Sequence, residues 1–509
     1  MASMNESAPA TASSPTHQSQ AEARTDSSMP DITQHSLEHN PDIFTIICCN
    51  DSFQLALNHN HQDPAASVQA SPSSPELQAA SLSQLVLTPS DKIAISLHCD
   101  EQATADRSWL VEQAEQGNAF ASYFLARTLQ IDLNSDRIDK SERQAIHQQI
   151  FRLFESAANT NHTMAQFHLA QCYRNGIGVD RDRTKTIELY RSLADGGIPE
   201  AQIALGDCYE SGEGAEQDYD SAIRWYSNAA DQGSEDGRLH IVFLQAWFSF
   251  IGRGVEQSDI DAFNQWQEVS TQSTDPIIKP IATHMVGWMH YLGRGTVRDQ
   301  QKGVKIICEN KSDEFRLGEG ECLVAWWTNL SYDSRAVYRF FKLCQLGSDR
   351  DWLCKHLMAL CMLHGFGTAM NRKKAAGIFE QLAIDGHSDS QLWIGECYSC
   401  GGGVIWNPEK TFEWFRKSAD QGNSYGQWRV GYCFYYGTGV AEDKPQAVEW
   451  YRKSAERGNR YGQCWLGDCY KNGEGVPQDI DTAIFWYRKS ADQGNKDAIN
   501  SLNGLGRWP

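Results

Sequence analysis

Residues 462–476 read GQCWLGDCYKNGEGV, and this stretch predicts the fold. Its small, Leu, Cys and Tyr residues are spaced three, four or seven apart, which places them on one face of a helix. The pair Gly473/Gly475 follows directly, and glycine ends helices because it adopts the left-handed conformation without strain. A second helical stretch, residues 482–491 (TAIFWYRKSA), comes next and leads to Gly494. One unit is therefore a helix, a glycine turn and a second helix.

The same unit recurs along most of the chain. Its Gly-x-Gly pair recurs every 36 residues in the regular parts, after 40 and 41 residues in the middle, and once after 72, where Asn329 and Ser331 replace the glycines. Nine units are visible, and a tenth, residues 119–158, precedes them without the glycine pair. A half-unit at residues 108–118 starts the array, and residues 496–505 are predicted to form its last helix.

Columns of equivalent residues predict how the units pack. In the first helix a large apolar residue such as Leu466 precedes a small one such as Gly467, where we expect a neighbouring helix to approach closely. A third column is cysteine in six units: Cys172, Cys208, Cys361, Cys397, Cys433 and Cys469. Units stacked ~8–10 Å apart are too distant for disulfides between equivalent residues, so we interpret these thiols as packing residues. The aromatic columns of the second helix are interpreted as core.

These columns resemble those of the Sel-one-like repeat family, α/α solenoids related to tetratricopeptide repeats. The family motif A-x-x-x-L-G-x-x-Y-x-x-G-x-G-V, followed by A-x-x-W-Y-x-x-A-A-x-x-G, is nearly whole at residues 201–214 and 462–476. The resemblance covers about residues 106–505 and implies an all-α superhelix of about ten repeats, with the first helices along its concave side. The irregular middle units, about residues 241–346, are predicted to bend the array or to carry a site of their own.

Three regions are predicted along the chain. Residues 1–103 form a mostly disordered Ser/Ala/Pro/Gln-rich tail with apolar islands at 43–57 and 85–99, residues 104–505 form the solenoid, and residues 506–509 form a short C-terminal tail. The tail has too few apolar residues to offset its chain entropy. The sequence shows neither a secretory signal nor ~20 consecutive apolar residues, which predicts a cytoplasmic protein with reduced thiols and no stable membrane insertion.

Charge and motifs argue against several kinds of chemistry. A net charge of −20 disfavours nucleic acid as a partner. His35, Glu38 and His39 match the H-x-x-E-H pattern of zinc proteases but precede Pro41 in a polar tail, so we interpret them as a chance match. Cys397/Cys400 lacks the second pair that zinc requires. No catalytic residue, metal or cofactor is therefore predicted, and a metal-dependent enzyme is the least favoured function.

The predicted function is a non-enzymatic scaffold or adaptor, serving signalling or regulation, that binds partner proteins or peptides along the concave face. Glutamine amides both donate and accept hydrogen bonds, and Tyr and Trp are strong interface anchors. The candidate binding residues are Gln391, Trp393, Tyr425, Gln427, Trp428, Tyr461, Gln463 and Trp465. Alternatively, the glutamine column only bonds between neighbouring units. Similarity to chitin-synthase activators offers a second function, a regulatory activator of a membrane-associated enzyme. The oligomeric state and the partner stay open.

Overall fold

The computed structural model describes residues 43–49, 52–57, 94–98, 101–133, 139–310, 315, 317 and 334–507. The chain divides into two compact units, residues 1–109 and 110–509. In the first unit, strands β1 (Ile43–Cys49), β2 (Ser52–Leu57) and β3 (Ala94–His98) form an antiparallel sheet in the order β2-β1-β3. The strands fall within the two apolar islands of the predicted tail. Most of the remaining tail lies outside the described residues.

From residue 101 to residue 504, every regular element in the described residues is an α-helix, which confirms the all-α repeat architecture. The first helices of the units, called helices A, are α2 (Ala119–Asp132), α4 (Thr163–Asn175), α6 (Pro199–Ser211), α8 (Glu235–Ile251), α10 (Ile278–Leu292), α13 (Trp352–His364), α15 (Ser388–Cys400), α17 (Ser424–Tyr436), α19 (Arg460–Asn472) and α21 (Lys496–Gly504). The second helices, called helices B, are α1 (Glu101–Glu115), α3 (Lys140–Ala158), α5 (Arg183–Asp195), α7 (Tyr219–Asp231), α9 (Asp259–Gln272), α11 (Gln300–Glu309), α12 (Arg335–Gly347), α14 (Arg372–Ile384), α16 (Pro408–Asp420), α18 (Lys444–Glu456) and α20 (Ile480–Ala491).

The predicted ends of the array are present as helices. Helix α1 covers most of the starting half-unit, helices α2 and α3 form the tenth unit, and helix α21 is the last helix A. For the unit with the replaced glycines, the structure describes helix B, which is α12. Its Asn329 and Ser331 lie outside the described residues.

The two glycines of each pair have different structural roles. Gly473 ends α19 with a left-handed φ of 72°, and its N–H donates to the carbonyl of Cys469 at 2.9 Å. Gly475 lies against the first turn of the preceding helix B, where an added Cβ would be 2.5 Å from the carbonyl oxygen of Lys444. The first glycine therefore terminates the helix, and the second allows close contact between consecutive units.

The column of small residues accommodates an aromatic ring from helix B of the same unit. A Cβ added at Gly431 in α17 would lie 2.6 Å from the ring of Tyr451 in α18, which is fully buried. The same contact occurs at Gly206 with Tyr226, at Gly395 with Phe415 and at Gly467 with Tyr487. The predicted close approach is confirmed, and its partner is one of the aromatic columns interpreted as core.

We expect Gly431→Ala to lower the free energy of unfolding by about 1–3 kcal/mol, because the added methyl group forces the buried Tyr451 ring to move. Gly377→Ala is the matched control, since Gly377 lies on the exposed face of α14 and a Cβ added there would have no heavy atom within 4 Å. At this position the better helix propensity of alanine should raise stability by about 0.5–1 kcal/mol. Urea denaturation measures both variants. Equal gains in stability would show that the packing argument is wrong.

Helix α12 packs on helices of earlier units, namely α10 of the preceding unit and α8 of the unit before that. The ring centroid of Phe340 lies 6.4 Å from that of Trp247 in α8 and 5.5 Å from that of His284 in α10. Gly347 at the end of α12 lies so close to Ile251 of α8 that an added Cβ would be 2.8 Å from its Cγ2. In a simple solenoid each unit contacts only its neighbours. The array therefore folds back on itself within the middle region that is irregular in sequence.

An ion-pair network fixes α12 on α6. The Nε of Arg339 donates to Glu210 at 2.6 Å, and both residues are buried, with exposures of 7% and 3%. Asp207 lies 3.3 Å from Arg339, 2.8 Å from Arg335 and 3.9 Å from Arg174 of α4. Burial would raise the pKa of Asp207, but the surrounding guanidinium groups hold it well below its usual range. The carboxylate is therefore charged and is shared by three arginines.

Helix α10 and the turn after it also contact units that follow α12. The hydroxyl of Tyr291 donates to Asp389 of α15 at 3.0 Å. Just after α10, Arg294 forms ion pairs with Asp259 at 2.7 Å and with Asp351, the N-cap of α13, at 2.8 Å. The contacts with Asp389 and Asp351 therefore join α10 to units that are not its neighbours along the sequence.

Candidate functional site

Equivalent positions of the helices A form one surface, which we call the inner face. In α6 these positions are Ile203, Asp207 and Glu210. The corresponding residues are Phe243, Trp247 and Phe250 in α8, His284, Trp288 and Tyr291 in α10, and His356, Leu360 and Leu363 in α13. In these three later helices none of them is more than 3% exposed. The inner face is therefore closed in the middle of the array, where α12 packs on α8 and α10.

The inner face is open towards the C-terminal units. In α17 its positions are Trp428, Tyr432 and Tyr435, and both tyrosines are half-buried. The adjacent Tyr436 is 53% exposed. Together with Tyr461 and Trp465 of α19, these four residues form what we call the aromatic inner surface.

The rings of the aromatic inner surface are held in contact with one another. Trp428 stacks on Tyr461 with ring centroids 4.9 Å apart. The ring of Trp465 lies 5.7 Å from Tyr432, 5.5 Å from Tyr435 and 5.9 Å from Tyr436, in each case close to edge-on. Trp465 in turn stacks on the buried Tyr451 of α18 at 5.7 Å. The surface is thus anchored in the core rather than formed by free side chains.

Charged groups border these rings. Arg429 forms an ion pair with the buried Glu396 of α15, and its guanidinium carbon lies 4.4 Å from the centre of the Trp428 ring. At the other edge Glu474 accepts hydrogen bonds from the Tyr435 hydroxyl and from Lys444, the latter at 2.8 Å. Burial raises the pKa of Tyr435, so its hydroxyl keeps its proton at neutral pH. The surface therefore combines apolar ring faces with hydroxyl groups.

Three of the predicted binding residues, Trp428, Tyr461 and Trp465, belong to the aromatic inner surface. Trp393 is only 1% exposed, and its ring stacks on Phe379 of α14 at 5.9 Å. Tyr425 is 3% exposed and lies 6.3 Å from Tyr461. Trp393 therefore lies in the repeat core, and Tyr425 is a buried residue beside the aromatic inner surface.

The predicted glutamines lie between helices, with exposures of 4–5%. The amide of Gln463 donates to the carbonyl of Ala455 at the end of the preceding helix B at 3.2 Å, and its oxygen accepts from Gln493 at 2.8 Å. Gln391 makes the same two contacts, and the amide of Gln427 donates to Ala419. The glutamine column therefore bonds between neighbouring units, as the alternative interpretation expected of it. That these amides bind a partner stays a prediction.

The sequence reasoning missed the tyrosines at positions 432, 435 and 436. Their signal was available, because they follow Trp428 by four, seven and eight residues and so share its helix face. The pattern does not stand out as a column of the repeat, since the equivalent positions in most other units are not aromatic.

Of the remaining motifs, only Cys397/Cys400 lies in the described part of the chain, and its two thiols do not form a chemical site with other side chains there. Cys397 is buried, and burial raises its thiol pKa, while Cys400 lies exposed at the end of α15 with its thiol directed to the carbonyl of Glu396. In the part of the chain that the structure describes, no three His, Cys, Asp or Glu side chains are grouped to hold a metal ion. No helix among these residues combines the length and apolarity needed to cross a bilayer. His35, Glu38 and His39 lie outside the described residues.

Comparisons with known proteins concern the repeats. The Sel1 repeat family model matches residues 163–198, 199–234, 280–306, 388–423, 424–459 and 460–495. Solved structures similar to this chain include a protective antigen of uropathogenic Escherichia coli strains, with 24% identity, coverage of 80% of this chain and 83% of that one, and a TM-score of 0.33. A Sel1 repeat protein from Oxalobacter formigenes has 22% identity, coverage of 79% and 92%, and a TM-score of 0.28.

A search among curated proteins gave no match. Two of the six family matches, residues 424–459 and 460–495, contain the helices that form the aromatic inner surface. The repeats and the helix pairs agree in position along the chain. The chain accordingly contains six Sel1 repeats, and proteins with such repeats generally act as scaffolds for protein–protein interactions.

Proposed function

We propose that this chain is a non-enzymatic scaffold or adaptor that binds a partner protein on the aromatic inner surface of α17 and α19. The observation that carries the proposal is the change in the inner face along the array. It is buried from α8 to α13 and becomes accessible at Tyr432, Tyr435 and Tyr436. Exposed tyrosines that are anchored in a core lose little entropy on binding, which makes them effective contact residues.

The chemistry of the surface favours an extended peptide segment with apolar side chains. Ring faces of Tyr436 and Trp465 can pack on such side chains, and the tyrosine hydroxyl groups can bond to peptide carbonyls. The surrounding chain carries a net charge of −20, so basic residues flanking the apolar segment would speed association.

Affinity capture from native lysate, with the full chain as bait, tests this proposal. The bait variant Tyr432→Ala/Tyr436→Ala removes ring area from the aromatic inner surface, and loss of such anchors weakens binding by about tenfold or more. We expect a small set of proteins that survives moderate salt with the wild-type bait and is depleted by about that factor with the variant.

The matched control is Phe485→Ala on helix α20, which removes a ring that is 50% exposed outside the inner face. Capture with this control should equal that of the wild type. Retention of the same proteins by the tyrosine variant, with its thermal unfolding unchanged, would overturn the proposal.

A further inference from the structure

A cavity of about 220 Å³ lies where α12 meets the ends of α4 and α6. Five arginines line it: Arg174, Arg181, Arg183, Arg335 and Arg339. The lining carboxylates are Asp207 and Glu213. In a chain whose acidic residues exceed its basic residues by 20, this concentration of guanidinium groups is a local reversal of charge.

The buried arginines of the cavity have carboxylate partners. Arg174 pairs with Glu213 at 2.9 Å and Arg339 pairs with Glu210, which lies behind the cavity wall. The pair of Arg339 with Glu210 and the shared Asp207 join α12 to α6, whereas the pair of Arg174 with Glu213 joins α4 to the turn after α6.

Two arginines at the mouth of the cavity are different. Among the described residues, neither Arg181 nor Arg183 has a carboxylate within ion-pair distance, and both are exposed. Arg181 donates one hydrogen bond from Nε to the carbonyl of Asn175 at 3.3 Å, which leaves its two terminal nitrogens for a ligand. The side chain of Arg335 is 41% exposed and also faces the cavity. Guanidinium groups therefore remain available after the structural ion pairs are formed.

We propose that this cavity binds a phosphoryl group. Guanidinium groups bind phosphate oxygens through paired hydrogen bonds, for which their planar fork is well suited. Five guanidinium groups face three carboxylates in and behind the cavity, and the excess of two positive charges matches the charge of a phosphoryl group at neutral pH. The N-terminal turn of α12, which begins at Arg335, adds the positive end of a helix dipole.

The cavity is separate from the aromatic inner surface, since it is formed by α4, α5, α6 and α12 rather than by α17 and α19. It therefore does not depend on the proposed scaffold function. A phosphoryl group could reach it on a phosphorylated protein side chain or as free phosphate, and the two sources share the same chemistry at the guanidinium groups.

Isothermal titration of the full chain with inorganic phosphate, and in parallel with a short phosphoserine peptide and its unphosphorylated form, tests the proposal. We expect saturable binding of the phosphorylated probes and none of the unphosphorylated peptide. A phosphopeptide affinity about tenfold above that of inorganic phosphate would assign the site to protein side chains, whereas equal affinities would assign it to free phosphate.

The variant Arg181→Gln/Arg183→Gln should weaken phosphate binding by about tenfold, because it removes the two guanidinium groups that have no internal carboxylate partner. Arg457→Gln/Arg488→Gln is the matched control, since it removes the same charge from exposed positions elsewhere in the array and should leave binding within about twofold of the wild type. Both variants change exposed residues, so both should fold. Absence of phosphate binding, or an equal loss in the two variants, would overturn the proposal.

Discussion

Arg339→Met should lower the free energy of unfolding of the central helices by about 3–5 kcal/mol. Arg339 and Glu210 are both buried, and the guanidinium also lies 3.3 Å from Asp207. Removing it leaves the carboxylate of Glu210 without a charged partner in a region that water hardly reaches. Hydrogen exchange measured by mass spectrometry would report the loss as faster exchange in α6 and α12. The loss should be weaker in the C-terminal units, because repeat units can open separately.

Arg335→Met provides the control for this prediction. Arg335 also pairs with Asp207, but its side chain is 41% exposed, and exposed pairs contribute about 0–1 kcal/mol. Adding Glu210→Met to Arg339→Met should recover part of the lost stability, since a pair of apolar side chains is better tolerated than one buried charge. Equal effects of the Arg335 and Arg339 variants would contradict the assignment of α12 to its buried position on α6.

The protein is also expected to lose stability steeply as the pH falls from 6.5 to 4. Burial lowers the pKa of His284 and His356 to about 3 and that of His168 and His364 to about 4, against an ordinary value of 6.5. The native protein keeps these rings neutral, whereas the unfolded chain takes up protons below pH 6.5. Each histidine therefore removes stability at about 1.4 kcal/mol per pH unit until the pH reaches its native pKa.

Three buried carboxyl groups act in the opposite sense. Burial raises the pKa values of Asp389, Glu396 and Asp468, so these groups favour the native state as the pH falls through their native pKa values. The stability that these carboxyl groups add on acidification is complete only below the ordinary pKa values of Asp and Glu. The four histidines therefore dominate the change in stability from pH 6.5 to about 5. Urea midpoints measured across this interval give the slope.

His364→Phe should make that slope shallower, because it replaces a titrating ring packed against Trp393 with an apolar one. His147→Phe is the comparison, since this ring is only partly buried and should alter the slope less. A pH profile that is flat from 6.5 to 5 in the wild-type protein would contradict the role of the buried histidines.

The repeat fold was predictable because its signals are local. Glycine after most of the helices A, a small residue opposite an aromatic ring and a cysteine column all act within one unit or between consecutive units, as Gly431, Tyr451 and Gly475 illustrate. Each signal is also repeated many times, so a single degenerate unit does not hide the period. The structure confirms the helix pairs at the positions where the columns place them.

The folding back of α12 could not be predicted in the same way. It depends on contacts such as Arg339 with Glu210, which are 129 residues apart and occur once in the chain. When its partner is unknown, a charged residue at either position indicates a solvent-exposed helix face.

The candidate surface was partly predictable for a related reason. Trp428, Tyr461 and Trp465 follow from residue type, whereas the burial of the glutamines depends on hydrogen bonds such as that of Gln463 with Ala455.

The position of α12 has a consequence for how the protein folds. A linear array can nucleate at any unit and grow by adding neighbours, so its contacts are short-range and its ends unravel independently. Here the contact between α6 and α12 closes a chain segment of more than a hundred residues. That segment must lose its conformational entropy before the contact can stabilise the protein. We expect the units from α6 to α13 to unfold as one cooperative block, with the C-terminal units opening at lower denaturant concentration. The accessible aromatic surface would then lie in the part of the molecule that exchanges most readily with partly unfolded states.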